Sequence, residues 1–406
     1  MSACAPDARP RLSIGIITRA LPVHRLGGLE HHVRDLAAGF AARGHRVSLI
    51  TTRGGGADPL GQTDGITIHE IVGTDPGDYS VTFFRQAGRI AAELACSNPL
   101  DVLIPIDMAG MFIEPRRFPV PVIPWIHGTM TSEVSLDHRY FPHLTLMEKL
   151  GALWQYKSRL ALWYPFRRMI RRNSTVIVDS EFTRNELLRQ SASSSGRIHV
   201  VPLGIDTDRY PGPLPSSAPP GSAPLRIALI GRMQRHKGLS TALQAARQLR
   251  DRAVSFHMTL GGSGEYLPAA RQFIQQHNLH DHVSAPGRIP PEELASYFSA
   301  HNLFLFPDWT QPAFGLVALE AMHYRLPIIA ARVGAVPEVV TPEVGWLYPP
   351  RDATALADLI QRISRQPDML QQKVEAASVR LSQFTLPAMI QRAEDVVYNH
   401  LMENPR

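Results

Sequence analysis

The sequence predicts an α/β protein of two domains, each built on a parallel sheet. Three observations carry that expectation. The 406 residues exceed what one compact core organises. Apolar runs of strand length alternate with stretches of helical periodicity along most of the chain. Residues 209–224, with six prolines, two glycines and three serines, interrupt that rhythm, which then restarts. The expected domains are 12–208 and 225–385, joined by the Pro-rich linker 209–224 and followed by an amphipathic helix over 386–402.

The first domain opens on an apolar run from Leu12 to Thr18. A loop ending in Gly27-Gly28 follows, and then Leu29, Val33, Leu36, Ala37 and Phe40 recur at helical spacing. Gly44 stands where the helix should stop, and Arg46 to Thr51 reads as the next strand. His31 and His32 lie inside this helix; either one of them faces the ligand side of the sheet or, the favoured expectation, both lie at the surface. Further strands are expected over 66–72, 101–105, 120–126, 174–179 and 197–202, with helices over 81–96 and 145–172. His127 falls at the end of a strand, where ligands of open α/β sheets bind.

After the linker, Arg226 to Ile230 is a strand followed by Gly231-Arg232 and then Lys237-Gly238. A strand over 254–260 ends in Gly261-Gly262-Ser263-Gly264. The strand Leu303 to Phe306 leads through Gln311-Pro312 to Phe314-Gly315-Leu316, which opens a helix containing one acid, Glu320. Strand, loop and helix N-terminus present free backbone N–H groups that suit an anion such as phosphate.

Composition narrows the class. Hydrophobic residues at 44% and charged residues at 19% exclude disorder as the default. Two cysteines, Cys4 and Cys96, imply neither a disulfide framework nor a thiolate metal cluster. No run approaches a membrane span, and Met1 to Pro10 lacks the apolar core of a signal peptide, so a cytoplasmic setting is expected. The basic excess is local: nine basic residues face three acids between Gly151 and Arg197. Aromatic residues interleave with these bases over 149–172, which fits either an anionic membrane surface or a solvated basic helix packed by its aromatics.

Gly27-Gly28-Leu29-Glu30, Arg43-Gly44-His45, Val201 to Asp206, Gly231-Arg232 with Lys237-Gly238, Gly262-Ser263-Gly264, Phe314-Gly315-Leu316 with Glu320-Ala321-Met322, and Pro337-Glu338 are each weak signals. In this order and spacing they resemble the retaining glycosyltransferase family 4 (group 1 glycosyltransferases). The resemblance runs from about Ser13 to about Tyr398. It implies the GT-B architecture, two Rossmann-like domains whose parallel sheets face each other across a cleft, with the last helix crossing back to the first domain.

The resemblance also implies roles. Arg232 and Lys237 would hold the diphosphate of a UDP- or GDP-sugar and stabilise its charge as the leaving group. Gly27 and Gly28 would let backbone approach the diphosphate. Glu320 would accept hydrogen bonds from the two ribose hydroxyls, and Phe314, Gly315 and Leu316 would offer backbone N–H groups. His127 would lie near the transferred sugar. No cofactor and no metal are implied, and the acceptor is a small molecule, a lipid-linked species or a glycan, not nucleic acid. The expected activity is that of a retaining hexosyltransferase at the inner face of the membrane or in the cytoplasm; the alternative is a nucleotide-sugar-binding protein with lost or altered catalysis.

Four positions depart from the family pattern. Pro312, with Gln311 beside it, stands where an acid is usual, and Gln311 is expected to replace part of its contact with the donor sugar. Arg325 stands where glycine takes a left-handed turn, Leu203 where asparagine is frequent, and Ala335 where a second glycine follows Gly334.

Overall fold

The structure, a computed structural model, describes residues 9–24, 27–54, 64–97, 99–128, 162–191, 195–210, 224–366 and 368–404. Most of the linker (211–223) and the first part of the helix expected over 145–172, including Trp154, Tyr156, Lys157 and Arg159, lie outside the described residues. The chain divides into two compact units, one ending at Pro202 and resuming at Leu386, the other spanning Leu203–Thr385.

In the first unit, β1 (Ser13–Ile17), β2 (Arg46–Thr52), β3 (Ile66–Ile71) and β4 (Val102–Pro105) form a parallel sheet in the order β3-β2-β1-β4. Every residue of β1 is buried, as expected of a strand covered on both faces. Parallel bridges Leu103↔Val122 and Ile106↔Trp125 carry the sheet onward. Beyond them lie β5 (Trp125–Ile126), β6 (Val176–Val178) and β7 (Ile198–Val200), also parallel. The strands expected over 120–126 and 174–179 are thus shorter; in the first of them Pro121 and Pro124 have no N–H to give a ladder.

Residues 162–172 are helical. Their apolar face, Phe166, Met169 and Ile170, is buried in the core that also takes Phe83, Leu103 and Val176. Arg168 and Arg171 are exposed, the Arg167 guanidinium lies 4.4 Å from the centre of the Trp163 ring, and Arg172 pairs with Glu114.

The helix Leu386–Glu403 belongs to the first unit and packs on the helix Gly28–Ala42. A Cβ on Gly39 would stand 2.5 Å from Ile390 Cγ1, so glycine is what permits this approach, against a helix-propensity cost of about 0.5–1 kcal/mol. Buried Glu394 accepts from Arg43 Nε at 2.5 Å and meets His45 Nε2 at 2.9 Å. Tyr398 donates to the Pro10 carbonyl at 2.6 Å.

The second unit carries β8 (Leu225–Ile230), β9 (Phe256–Gly261), β10 (Val283–Gly287), β11 (Leu303–Phe306), β12 (Ile328–Ala331) and β13 (Gly345–Tyr348). All pairings are parallel, in the order β10-β9-β8-β11-β12-β13. Counted from β8, this is the doubly wound order 3-2-1-4-5-6. Residues 203–208, expected with the first domain, group here instead. The Ile205 N–H donates to the Phe384 carbonyl at 2.9 Å, and Ile205 bridges Thr385; these backbone bonds hold both ends of the unit side by side.

Arg325 adopts φ 59°, the left-handed conformation its position demands. A β-carbon there costs about 1 kcal/mol. Arg325→Gly is therefore expected to raise stability by about 1 kcal/mol, read as a higher urea midpoint of the second unit's unfolding with the nucleotide affinity unchanged.

Candidate functional site

In the second unit the sheet order reverses between β8 and β11, the switch point beyond whose carboxyl ends ligands of this fold class sit. The loop after β8 carries Gly231, Arg232 and Lys237; the loop after β11 runs from Pro307 to Gly315. The two are stitched together. The Trp309 N–H donates to the His236 carbonyl at 2.9 Å, and Lys237 Nζ donates to Asp308 Oδ2 at 2.6 Å. The Trp309 indole N–H donates to Thr241 Oγ1 at 2.9 Å. Gly238 has φ 73°, and a Cβ there would stand 1.9 Å from the Pro307 carbonyl oxygen; no other residue closes these loops on each other.

Lys237 is therefore not a loosely solvated cation. Asp308 is 2% exposed and fixes the ammonium at the rim of the switch point. Burial, then the charges of Lys237 and Arg232, lower the pKa of His236, while Asp308 and Glu265 oppose the shift. His236 thus senses both cations.

The helix Leu316–His323 starts at Gly315, whose φ of 111° turns the chain into it. The Ala318 N–H donates to the Gly315 carbonyl at 2.9 Å; the N–H groups of Leu316 and Val317, ahead of it, have no carbonyl within the helix to bind. The Phe314 side chain is buried and meets the Phe384 ring at 5.6 Å, so only its backbone can serve a ligand. Glu320 lies one turn further on. Its carboxylate accepts from the Tyr210 hydroxyl at 3.1 Å, and burial pushes its pKa up to about 7 against the pull of that hydrogen bond. Gln311 is exposed. The Pro312 carbonyl accepts the Ala335 N–H at 2.9 Å, which ties the loop after β11 to the loop after β12.

In the first unit the corresponding reversal lies between β1 and β4. Gly27 caps the N-terminus of the helix Gly28–Ala42 in extended conformation, and Gly28 is exposed. Asp107, just past β4, has φ 50°; its Oδ1 accepts the His127 N–H at 2.8 Å. Asp179, just past β6, binds two rings at once: Trp125 Nε1 donates to its Oδ1 and His127 Nδ1 meets its Oδ2, both at 2.8 Å. The two rings stack at 5.8 Å and 18°. Burial alone would lower the pKa of His127, but the charge and hydrogen bond of Asp179, with the charge of Asp107, raise it.

His32 corrects the surface placement expected for it. It is 2% exposed, its ring sits edge-on 4.5 Å from His127 and 5.1 Å from Trp125, and neither of its ring nitrogens has a hydrogen-bond partner among the described residues. Burial first, and the charge of His127 second, hold its pKa well below the usual value. His31, its neighbour, is partly exposed.

The sequence also contains one Asp-x-Asp triplet, Asp206-Thr207-Asp208, a spacing used elsewhere to hold a metal against a diphosphate. Asp206 Oδ1 accepts the Asp208 N–H at 3.2 Å and caps a single 3-10 turn.

Two family descriptions match the chain: "Glycosyltransferase Family 4" over residues 26–209 and "Glycosyl transferases group 1" over residues 218–380. The chain belongs to this family of glycosyltransferases. Its fold is GT-B: the sucrose-phosphate synthase structure from Thermosynechococcus elongatus superimposes with a TM-score of 0.78 at 22% identity, covering 97% of this chain and 100% of that one. The Anabaena protein HepE in complex with UDP and glucose superimposes with a TM-score of 0.71 at 16% identity, over 96% of this chain and 100% of that one. In sequence, WcaL of Escherichia coli strain K12, named for a colanic acid biosynthesis glycosyltransferase, is 29% identical over 206 residues. That match covers 49% of this chain and 50% of WcaL; the chain spans about half the length of this relative.

The structure thus gathers Arg232, Lys237, Phe314, Gly315, Leu316 and Glu320 on the carboxyl side of the second unit's sheet, and Gly27, Gly28 and His127 on that of the first. Asp179 was legible as a strand-end acid in Val-Ile-Val-Asp. His32 was legible as a member of the stripe Leu29, Val33, Leu36. Nothing in the sequence pointed to Tyr210.

Proposed function

We propose that this glycosyltransferase family member moves a hexose, with retention of configuration, from a UDP- or GDP-sugar to an acceptor hydroxyl, without a bound metal. One observation carries the reading. The switch point of the second unit brings Lys237, held by Asp308, and the open N-terminus of the helix bearing Glu320 onto adjoining loops, and that combination suits a nucleoside diphosphate. HepE, bound to UDP and glucose, supports a uridine donor.

In this proposal Arg232 and Lys237 stabilise the diphosphate as the bond from sugar C1 to the phosphate oxygen breaks. The acceptor oxygen bonds C1 from the same face, and its proton passes to the departing phosphate oxygen. Gly27-Gly28 add backbone N–H groups toward the diphosphate. Phe314, Gly315 and Leu316 do the same from the second unit. Gln311 contacts the transferred sugar in place of the usual acid, and His127 offers Nε2 to the same sugar. Glu320 accepts from both ribose hydroxyls.

Incubating the protein with UDP-, GDP- and ADP-sugars and measuring released nucleotide tests this. Slow release from one donor in the absence of acceptor supports the transferase. Tight binding with no release in any acceptor mixture overturns it in favour of a binding protein, a reading that Pro312 at the acid position supports.

The donor reading carries a pH dependence. The ribose hydroxyls bind the ionised form of Glu320, whose pKa is raised to about 7. Below that pH the carboxylate must first lose a proton, so affinity for a UDP-sugar is expected to rise with pH between about 6 and 8, with proton release on binding at pH 7. Titration calorimetry in buffers of different ionisation enthalpy reads both. In Glu320→Gln the pH dependence and the proton release disappear together.

Among the described residues no helix is long and apolar enough to cross a membrane. We propose that the basic face over 162–172 meets an anionic membrane surface carrying a lipid-linked acceptor. Sedimentation with anionic and neutral vesicles tests it: Arg168→Glu/Arg171→Glu is expected to abolish binding to anionic vesicles, and equal lack of binding of the unaltered protein to both would sink the idea.

A further inference from the structure

Tyr210 lies at the end of the segment Leu203–Tyr210, which is anchored by the backbone bonds of Ile205 to Phe384 and Thr385. Its hydroxyl donates to Glu320 Oε1 at 3.1 Å. That is the one hydrogen bond the carboxylate receives among the described residues. The Tyr210 ring is itself held: it lies 5.7 Å from the His323 ring and stands perpendicular to the Tyr324 ring at 6.4 Å. Tyr324 in turn stacks on Phe298 at 4.7 Å and 12°, so the cage around Tyr210 is continuous with the core.

A carboxylate at the edge of a core can rotate about its last torsion and can take up a proton. Either event spoils it as a receiver of two hydroxyl hydrogens. A fixed phenol on one oxygen opposes both: it sets the plane of the group, and it favours the charged form, which accepts hydrogen bonds more strongly. The other oxygen receives no hydrogen bond among the described residues.

We propose that Tyr210 is a positioning residue for the nucleoside: by donating to Glu320 Oε1 it orients the carboxylate and keeps it ionised for the ribose diol. The proposal rests on the assignment of Glu320 to the ribose. No cation contributes to the pKa of Glu320, whose causes are burial and the Tyr210 hydrogen bond. Among the described residues, the other titratable groups of this cluster are Tyr324, which feels the Glu320 charge, and His323, which packs on Tyr210. Burial, then the Glu320 charge, pushes Tyr324 up to about 12, so it stays neutral throughout the working range. Tyr210 is therefore the group that opposes protonation of Glu320.

The test measures UDP and GDP affinity of the full chain by calorimetry at pH 6, 7, 8 and 9, for the unaltered protein, Tyr210→Phe and Glu320→Gln. Phenylalanine keeps the ring packing and removes only the hydroxyl. Tyr210→Phe is expected to bind the preferred nucleotide about 3- to 10-fold more weakly at pH 7 and to approach the unaltered protein at pH 9, where Glu320 is ionised without help. A loss that is the same at every pH would mark a packing role and overturn the proposal. Tighter binding would show that Tyr210 competes with the ribose, and would also overturn it. If Glu320→Gln binds both nucleotides as the unaltered protein does, the ribose assignment itself fails. A second measurement uses 2′,3′-dideoxy nucleotide: the preference for the diol over the dideoxy form should shrink in Tyr210→Phe at pH 7 and recover at pH 9.

Discussion

Replacing Lys237 with alanine is expected to lower kcat/KM for the donor sugar by about 10²- to 10³-fold, the range found when one preorganised donor to a developing charge is removed. The structure shows why the simple variant mixes two effects. Lys237 Nζ sits 2.6 Å from Asp308 Oδ2, and the Asp308 side chain is 3% exposed. Removing the lysine strands a buried carboxylate, which costs on the order of 2 kcal/mol of stability after allowance for the partial exposure of the lysine. The second cost concerns the fold and the first the transition state. Lys237→Ala/Asp308→Asn separates them. The asparagine carries no charge to strand, so thermal stability should return toward that of the unaltered protein while kcat/KM stays low. Recovery of both would mean that Lys237 serves Asp308 and not the diphosphate. Comparing kcat with KM sharpens the reading: a loss mainly in kcat identifies a contact that strengthens as the phosphate leaves.

This pair also shows how far the sequence could be read. The strand–loop–helix rhythm was legible because buried parallel strands are short apolar runs and their crossover helices carry a 3.6-residue stripe. The two-domain α/β fold and the loops bearing Arg232, Lys237 and Glu320 followed from that. In the sequence Asp308 is only an acid four positions before Pro312. Its partnership with Lys237 joins residues that are 71 positions apart and requires the β8 and β11 loops to meet, which depends on strand order and not on local pattern. Tyr210 is harder still: a lone aromatic before a proline-rich stretch has no periodicity to place it. His32 was different. It occupies the buried stripe of its helix, and expecting it at the surface gave residue type more weight than position. The boundary near residue 208 misled for a similar reason. Composition marks where the chain becomes proline-rich, whereas the unit begins where Ile205 joins its backbone to Phe384.

Replacing Asp179 with asparagine is expected to move the alkaline limb of the pH–rate profile to lower pH and to reduce kcat/KM by about 10- to 100-fold on that limb. The sign follows from opposing causes. Burial favours neutral His127; Asp179, by charge and hydrogen bond, and Asp107, by charge, overcome burial and raise its pKa. Asparagine removes the larger part of that support while keeping the size of the side chain and an oxygen for the Trp125 N–H. Burial then prevails, and His127 loses its proton at lower pH. If the transferred sugar needs a charged donor at Nε2, activity fails where His127 becomes neutral, earlier in the variant than in the unaltered protein. The stability consequence has the same sign. A histidine with a raised folded-state pKa contributes stability below its unfolded pKa and loses it as pH rises through the folded value, so the gap in stability between Asp179→Asn and the unaltered protein should be widest at acidic pH and narrow toward alkaline pH. His127→Phe completes the test. It should lower kcat/KM about 10²-fold, and it should leave no histidine limb in the profile. A limb that survives in His127→Phe belongs to another group. His32, edge-on to the same ring, would then be the first to examine.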